Sequence, residues 1–245
     1  MGFFDIFKSG KKDGSKKTNA ADKWAGSATD KRAQAYDRQE AINELVKLGS
    51  KEAVAVLLKR FTFVVDPSIT DQEEKDSAFH GIIQAGPEAL EPIRNFAAKA
   101  ESLAWPMRAM KELLGEEDLV LELVEWLAKW DTDYAKFIDP KVQLLTALQD
   151  YKHEKIFEAV APFLDDANET ARYHAAATIL AQENAAAIEP LLDLFAGEES
   201  VRIRSRIADG FIQRGWVVPN ERLDLIRKSL PEDFNLNGEG RFTRR

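Results

Sequence analysis

The chain has 245 residues, of which 44% are hydrophobic, enough for an ordinary globular core. Asp and Glu outnumber Lys and Arg by 42 to 34, and the net charge of -8 speaks against a phosphate-neutralising nucleic-acid binder. The absence of cysteine excludes disulfides, thiol catalysis and cysteine-based zinc or iron–sulfur sites.

Residues 1–29 form an arm distinct in composition from the rest. Phe3, Phe4, Ile6 and Phe7 make a short aromatic plug, and Lys8, Lys11, Lys12, Lys16 and Lys17 follow in a Gly/Ser-containing stretch without periodicity. Two readings stand side by side. The plug is a docking peptide or weak membrane anchor whose lysines meet anionic lipid, or it is a cap that packs on the chain's own first helices. Gly2 hints at myristoylation, but Ile6 stands where that motif needs Ser or Thr. No apolar run nears the roughly 18 residues that span a bilayer, and the N-terminus lacks a secretory leader; a soluble, cytoplasmic protein is expected.

From Asp30 onward the apolar spacing is helical. Ala35, Ile42, Leu45, Val46 and Leu48 share one face of a helix that stops at Gly49, and Ala53, Val54, Leu57, Leu58 and Phe61 mark the next. Further pairs are predicted over 70–85 and 87–100, split by Gly86-Pro87, and over 103–114 and 116–130, split by Gly115. An irregular insertion follows at 131–139. Three more pairs run over 140–151 and 153–164, 168–182 and 184–195, and 199–214 and 220–230. No segment offers the period-2 alternation of a sheet. The tail 231–245, Gly/Asn-rich over 235–240, is either unstructured or a cap on the last helices.

The units repeat. Ala89-Leu90-Glu91-Pro92-Ile93 returns as Ala187-Ile188-Glu189-Pro190-Leu191, with a looser copy at Ala159-Val160-Ala161-Pro162-Phe163 and a proline-free one at Ala53-Val54-Ala55-Val56-Leu57. The first helices Glu169-Thr170-Ala171-Arg172 and Glu199-Ser200-Val201-Arg202 align without a gap, which turns Ala175, Ala176, Ile207 and Ala208 inward. Arg172 and Arg202 are placed to pair with acids of a neighbouring repeat.

These residues resemble the HEAT repeat in its short bacterial form, the PBS-lyase HEAT-like class. The likeness is strongest over 140–216 and weaker over 35–115. It implies an all-α fold, a right-handed α-solenoid of about six antiparallel helix pairs over 30–230. It also implies an adaptor or scaffold. Two enzymatic branches of that class exist, bilin lyases and HEAT-like alkylpurine DNA glycosylases, and no catalytic motif of either is present.

Three groups are candidate partner-binding residues: Phe3, Phe4 and Phe7 of the plug; Trp126 and Trp130 on the apolar helix 117–130; and Arg202, Arg204 and Arg206. Trp126 and Trp130 continue a stripe from Leu119 and Leu123, which either anchors a partner or is buried between neighbouring helices. The arginines offer an anion or acidic-protein site, or a solvated face paired with Glu198, Glu199 and Asp209. His80, His153 and His174 share no metal-ligand spacing, Asp131, Asp133 and Asp139 lack a calcium loop, and no phosphate loop or nucleophile elbow occurs. The resulting expectation is a non-enzymatic protein–protein scaffold whose partner is another protein, with weak membrane contact through the arm. No cofactor, metal, nucleic acid or small-molecule substrate is expected. A bilin-lyase or chaperone-like role is the alternative, and DNA binding ranks below it.

Overall fold

The computed structural model describes residues 20–245 and is all-α apart from one short hairpin. Phe3, Phe4, Phe7 and the basic stretch lie outside the described residues. The chain divides into two compact units, Met1–Ala89 and Leu90–Arg245.

The first unit contains α1 (Asp22–Thr29), α2 (Ala35–Leu48), α3 (Lys51–Lys59) and α4 (Ser68–Gln84). α1 lies inside the span 1–29 expected to be an arm. It is a true helix that packs on α2 and α3, with Ala21 and Ala28 buried. Its weak apolar pattern hid it, because the one fully buried residue of the helix is an alanine, Ala28. Gly49 ends α2 in the left-handed region (φ 56), and the Ser50 hydroxyl accepts the Ala53 amide to start α3.

Ile42, Leu45, Leu57, Leu58 and Ile82 build this unit's core, but five charged residues share it. Glu74 accepts from Arg38 (Nε to Oε2, 3.0 Å; Nη2 to Oε1, 2.9 Å) and from Arg60 Nε at 2.8 Å. Arg60 Nη2 also reaches Asp71 Oδ1 at 2.8 Å, and Lys75 Nζ reaches Asp71 Oδ2 at 2.6 Å. Burial alone would raise the Asp71 carboxyl. Hydrogen bonds from Lys75, Arg60 and the Val65 amide outweigh it and hold the group down at about 2.

The second unit contains α5 (Leu90–Ala97), α6 (Ala104–Leu113), α7 (Glu116–Leu127), α8 (Asp139–Leu148), α9 (Glu154–Val160), α10 (Glu169–Gln182), α11 (Ile188–Gly197), α12 (Val201–Arg214) and α13 (Leu223–Lys228). α10 lies between α8 and α12 in one row. In the other row α7 packs on α9, and α11 on α13 and on the 3-10 turn Ala161–Asp165 that follows α9. Ala175, Ala176, Ile207 and Ala208 are fully buried, as their spacing predicts. Gly210 allows α12 to approach α10 closely, since a Cβ there would lie 2.5 Å from both Leu180 Cδ atoms.

In α8, α10 and α12 one basic side chain near the helix start performs the same task, and in α12 it is Arg204 that matches Arg172, two residues past the expected Arg202. Lys141 Nζ bonds Asp166 Oδ2 (2.7 Å), Arg172 Nε bonds Glu198 Oε2 (2.7 Å) and Arg204 Nη1 bonds the Ser229 carbonyl (2.8 Å). Lys141 and Arg172 thus tie their helices to the turn entering the next one, and Arg204 ties α12 to the end of α13. The acids serve twice: Asp166 also accepts the Asn168 amide and Glu198 the Ser200 amide, each fixing the turn just ahead of the helix that follows.

Contrary to the sheet-free reading, residues 231–245 contain β1 (Phe234–Leu236) and β2 (Phe242–Arg244), an antiparallel hairpin pairing Leu236 with Phe242. It folds back on the last helices. The Phe242 ring lies 5.5 Å from Phe195 and 5.6 Å from Phe211, and Arg244 pairs with Asp209 at 2.5 Å.

Candidate functional site

Twice in the second unit the helix–turn–helix pattern is interrupted, over 98–103 and over 128–138. Both irregular segments border one cavity of about 360 Å³. Its lining comes from Trp126 and Trp130 at the end of α7, from Phe137, Pro140 and Leu144 of the loop and α8, and from the 97–101 turn. The volume is at the small end of ligand pockets, roomy enough for one or two bulky side chains. The sequence pairing of Trp126 with Trp130 is therefore realised in space, but unequally. Trp126 is buried at 4% exposure, whereas Trp130 lies in the turn past α7 and is half-buried. Phe137 is 49% exposed, and Tyr134 of the same loop 74%.

Every wall is held from behind. Trp126 Nε1 donates to Glu122 Oε1 at 2.7 Å, which fixes the indole. Glu122 also accepts from Arg94 Nε (2.9 Å to each oxygen) and Nη2 (2.6 Å). That hydrogen-bonded carboxylate raises the Arg94 guanidinium above its usual range, against the effect of burial. Glu122 is buried although it is charged, because α7 is wrapped on that side too. Its signal was available as the Glu–Trp spacing of four on one helix face.

The 128–138 loop is bound to α8 and to the turn before α10. Lys141, fully buried, donates to the Asp131 carbonyl at 2.8 Å and to the equally buried Asp166. The Ala167 amide reaches the Thr132 carbonyl, and Asn168 exchanges two hydrogen bonds with the backbone of Ala135. Lys141 Nζ also lies 5.9 Å from the Trp130 ring centroid. On the other side Gln143 accepts the Leu103 amide (2.6 Å) and donates to the Ser102 hydroxyl (3.2 Å). A pocket held this way needs little ordering to receive a ligand.

Lys99, Lys129 and Glu101 are the charged residues of the lining, and all three are exposed. The lining contains no Ser, Thr, Cys or His. Its chemistry is apolar contact, aromatic stacking and charge.

The candidate arginines lie elsewhere, on α12, and are differently engaged. Arg202 pairs with Glu169 at 2.6 Å and stacks 4.2 Å from the Tyr173 ring centroid. Arg204 is turned to the Ser229 carbonyl. The Arg206 Nε is buried without a hydrogen-bond partner. Glu198, an expected partner of this group, is taken by Arg172 instead. Burial would raise the Glu198 carboxyl, but Arg172 and the Ser200 amide hold it below its usual range. A second, more polar cavity of about 390 Å³ is bordered by Glu183, Gln213, Arg214 and Trp216. Burial, with Arg206 adding to it, lowers the Arg214 guanidinium there. His174 Nδ1 lies 3.0 Å from the Thr146 hydroxyl, and burial together with Arg202 lowers its pKa.

Among the described residues no three His, Asp or Glu side chains gather as a metal site, and no helix is long and apolar enough to cross a membrane. No protein-family model matches the chain, and no curated protein matches it significantly.

Proposed function

We propose that this chain is a non-enzymatic interaction protein, a HEAT-like repeat scaffold that presents the Trp126–Trp130–Phe137 cavity to another protein. The observation that carries the reading is the coincidence of interruption and cavity. Where the helix pairs break step, the chain exposes Phe137 and Tyr134 rather than covering them, and it braces the loop that holds them with a buried ion pair. Exposed aromatics on a rigid support are the usual anchors of an interface. The row of α8, α10 and α12, each tied onward along the chain by one basic side chain, supports the repeat reading. The aromatic segment Phe3, Phe4 and Phe7 adds a second point of attachment, which raises avidity when both engage.

Affinity capture from the native lysate tests this with three baits: the full chain, a chain lacking residues 1–19, and a Trp130→Ser/Phe137→Ser chain. The cut is placed before α1, because removing 29 residues would take a packed helix. A stoichiometric protein held by the full chain and lost from the double variant is expected. Equal retention by all three baits would refute the cavity as the docking point.

A further inference from the structure

We infer that the cavity selects an acidic peptide segment, one that inserts a bulky apolar or aromatic side chain between Trp130 and Phe137 and sets carboxylates against Lys99 and Lys129. The inference rests on the interaction-protein reading above and names the chemistry of the partner. It follows from charge and from which charges are already spent.

The chain as a whole is acidic, at -8, yet the cavity's lining has two lysines against one glutamate. Elsewhere in this unit the basic side chains near the cavity are committed: Arg94 to Glu122, and Lys141 to Asp166. Lys99 and Lys129 make no ion pair or side-chain hydrogen bond among the described residues, and neither lies within salt-bridge distance of Glu101. Asp131 and Asp133 belong to the neighbouring loop but do not line the cavity, and the Asp131 carboxylate is turned to the Asp133 amide. Two uncommitted ammonium groups thus belong to an aromatic lining. An apolar ligand alone would leave them unused, and a basic one would be repelled by them. An acidic segment gains from both, with the apolar anchor supplying affinity and the lysines supplying orientation and preference over other sequences.

The test is a selection that presupposes no sequence. A phage-displayed random 12-residue library is panned against the immobilised full chain, with counter-selection on the Trp130→Ser/Phe137→Ser chain. Enriched peptides are expected to carry a Phe, Trp, Leu or Ile anchor and a net negative charge. The best of them, as a synthetic peptide, should quench tryptophan fluorescence and bind at least tenfold more weakly to a Lys99→Glu/Lys129→Glu chain. Both lysines are exposed, so this second variant keeps the fold. Enriched peptides of neutral or basic character would overturn the charge selection while leaving the interaction reading intact. Failure to enrich any peptide over the counter-selected chain would overturn the inference altogether, and lysate capture then judges the broader reading by itself.

Discussion

Replacing Lys141 with methionine should loosen the loop that carries Phe137. Methionine keeps most of the stem's volume but removes the ammonium. Asp166 is then left as a carboxylate with 0% exposure and one remaining hydrogen bond of its own, from the Asn168 amide. Removing one partner of a buried pair costs about 3–5 kcal/mol, whereas replacing both is close to neutral. The Asp131 carbonyl also loses its donor, at about 1–2 kcal/mol. Urea unfolding followed by circular dichroism should therefore place Lys141→Met several kcal/mol below the parent. Lys141→Met/Asp166→Asn, which keeps an acceptor for the Asn168 amide, should recover all but about 1–2 kcal/mol. Hydrogen exchange gives the local reading, because the Ala167 amide bonded to Thr132 should lose protection in the single variant first. A single variant within about 1 kcal/mol of the parent, or a double variant no better than the single, would refute the clamp.

Three further outcomes follow. Ala176→Leu forces a larger side chain into a fully buried position in α10 and should cost about 1–3 kcal/mol; unchanged thermal unfolding would contradict the inward register. Asp71 is held at about 2 in the folded chain against an ordinary 3.8, so its contribution is complete above about pH 4 and lost as pH falls through about 2. That amounts to about 2 kcal/mol, and Asp71→Asn should flatten this part of the acid-unfolding curve; an unaltered curve would contradict the network's role. Deleting residues 231–245 uncovers Phe195 and Phe211 and should lower the melting temperature by several degrees, while an unchanged value would remove the hairpin as a cap.

Helix order was legible because core spacing and stop residues agreed: Gly49, Gly86-Pro87 and Gly115 fall at the breaks, and every predicted pair has its helices. What escaped has physical causes. α1 buries only Ala28 fully, which leaves no periodic trace. The hairpin is carried by only three residues per strand, although Asn237-Gly238 is a strong turn signal and Phe234 and Phe242 flank it. In the first unit's buried network the Arg38–Glu74, Arg60–Glu74 and Arg60–Asp71 pairs join residues 11 to 36 positions apart, beyond any local pattern, and only Lys75–Asp71 has a local i,i+4 spacing. Trp126 and Trp130 were visible as a stripe, but their unequal burial depends on the loop at 128–138, whose path is set by Lys141 and Asn168 from other helices.

Site-specific photo-crosslinking addresses the central claim most directly. p-Benzoylphenylalanine replaces Phe137, or, as a control, the still more exposed Tyr36 of the first unit, in the full chain within its native host. The account predicts a discrete covalent adduct with one protein from position 137 and none from position 36. Adducts from position 36 alone, or none from position 137, would contradict it.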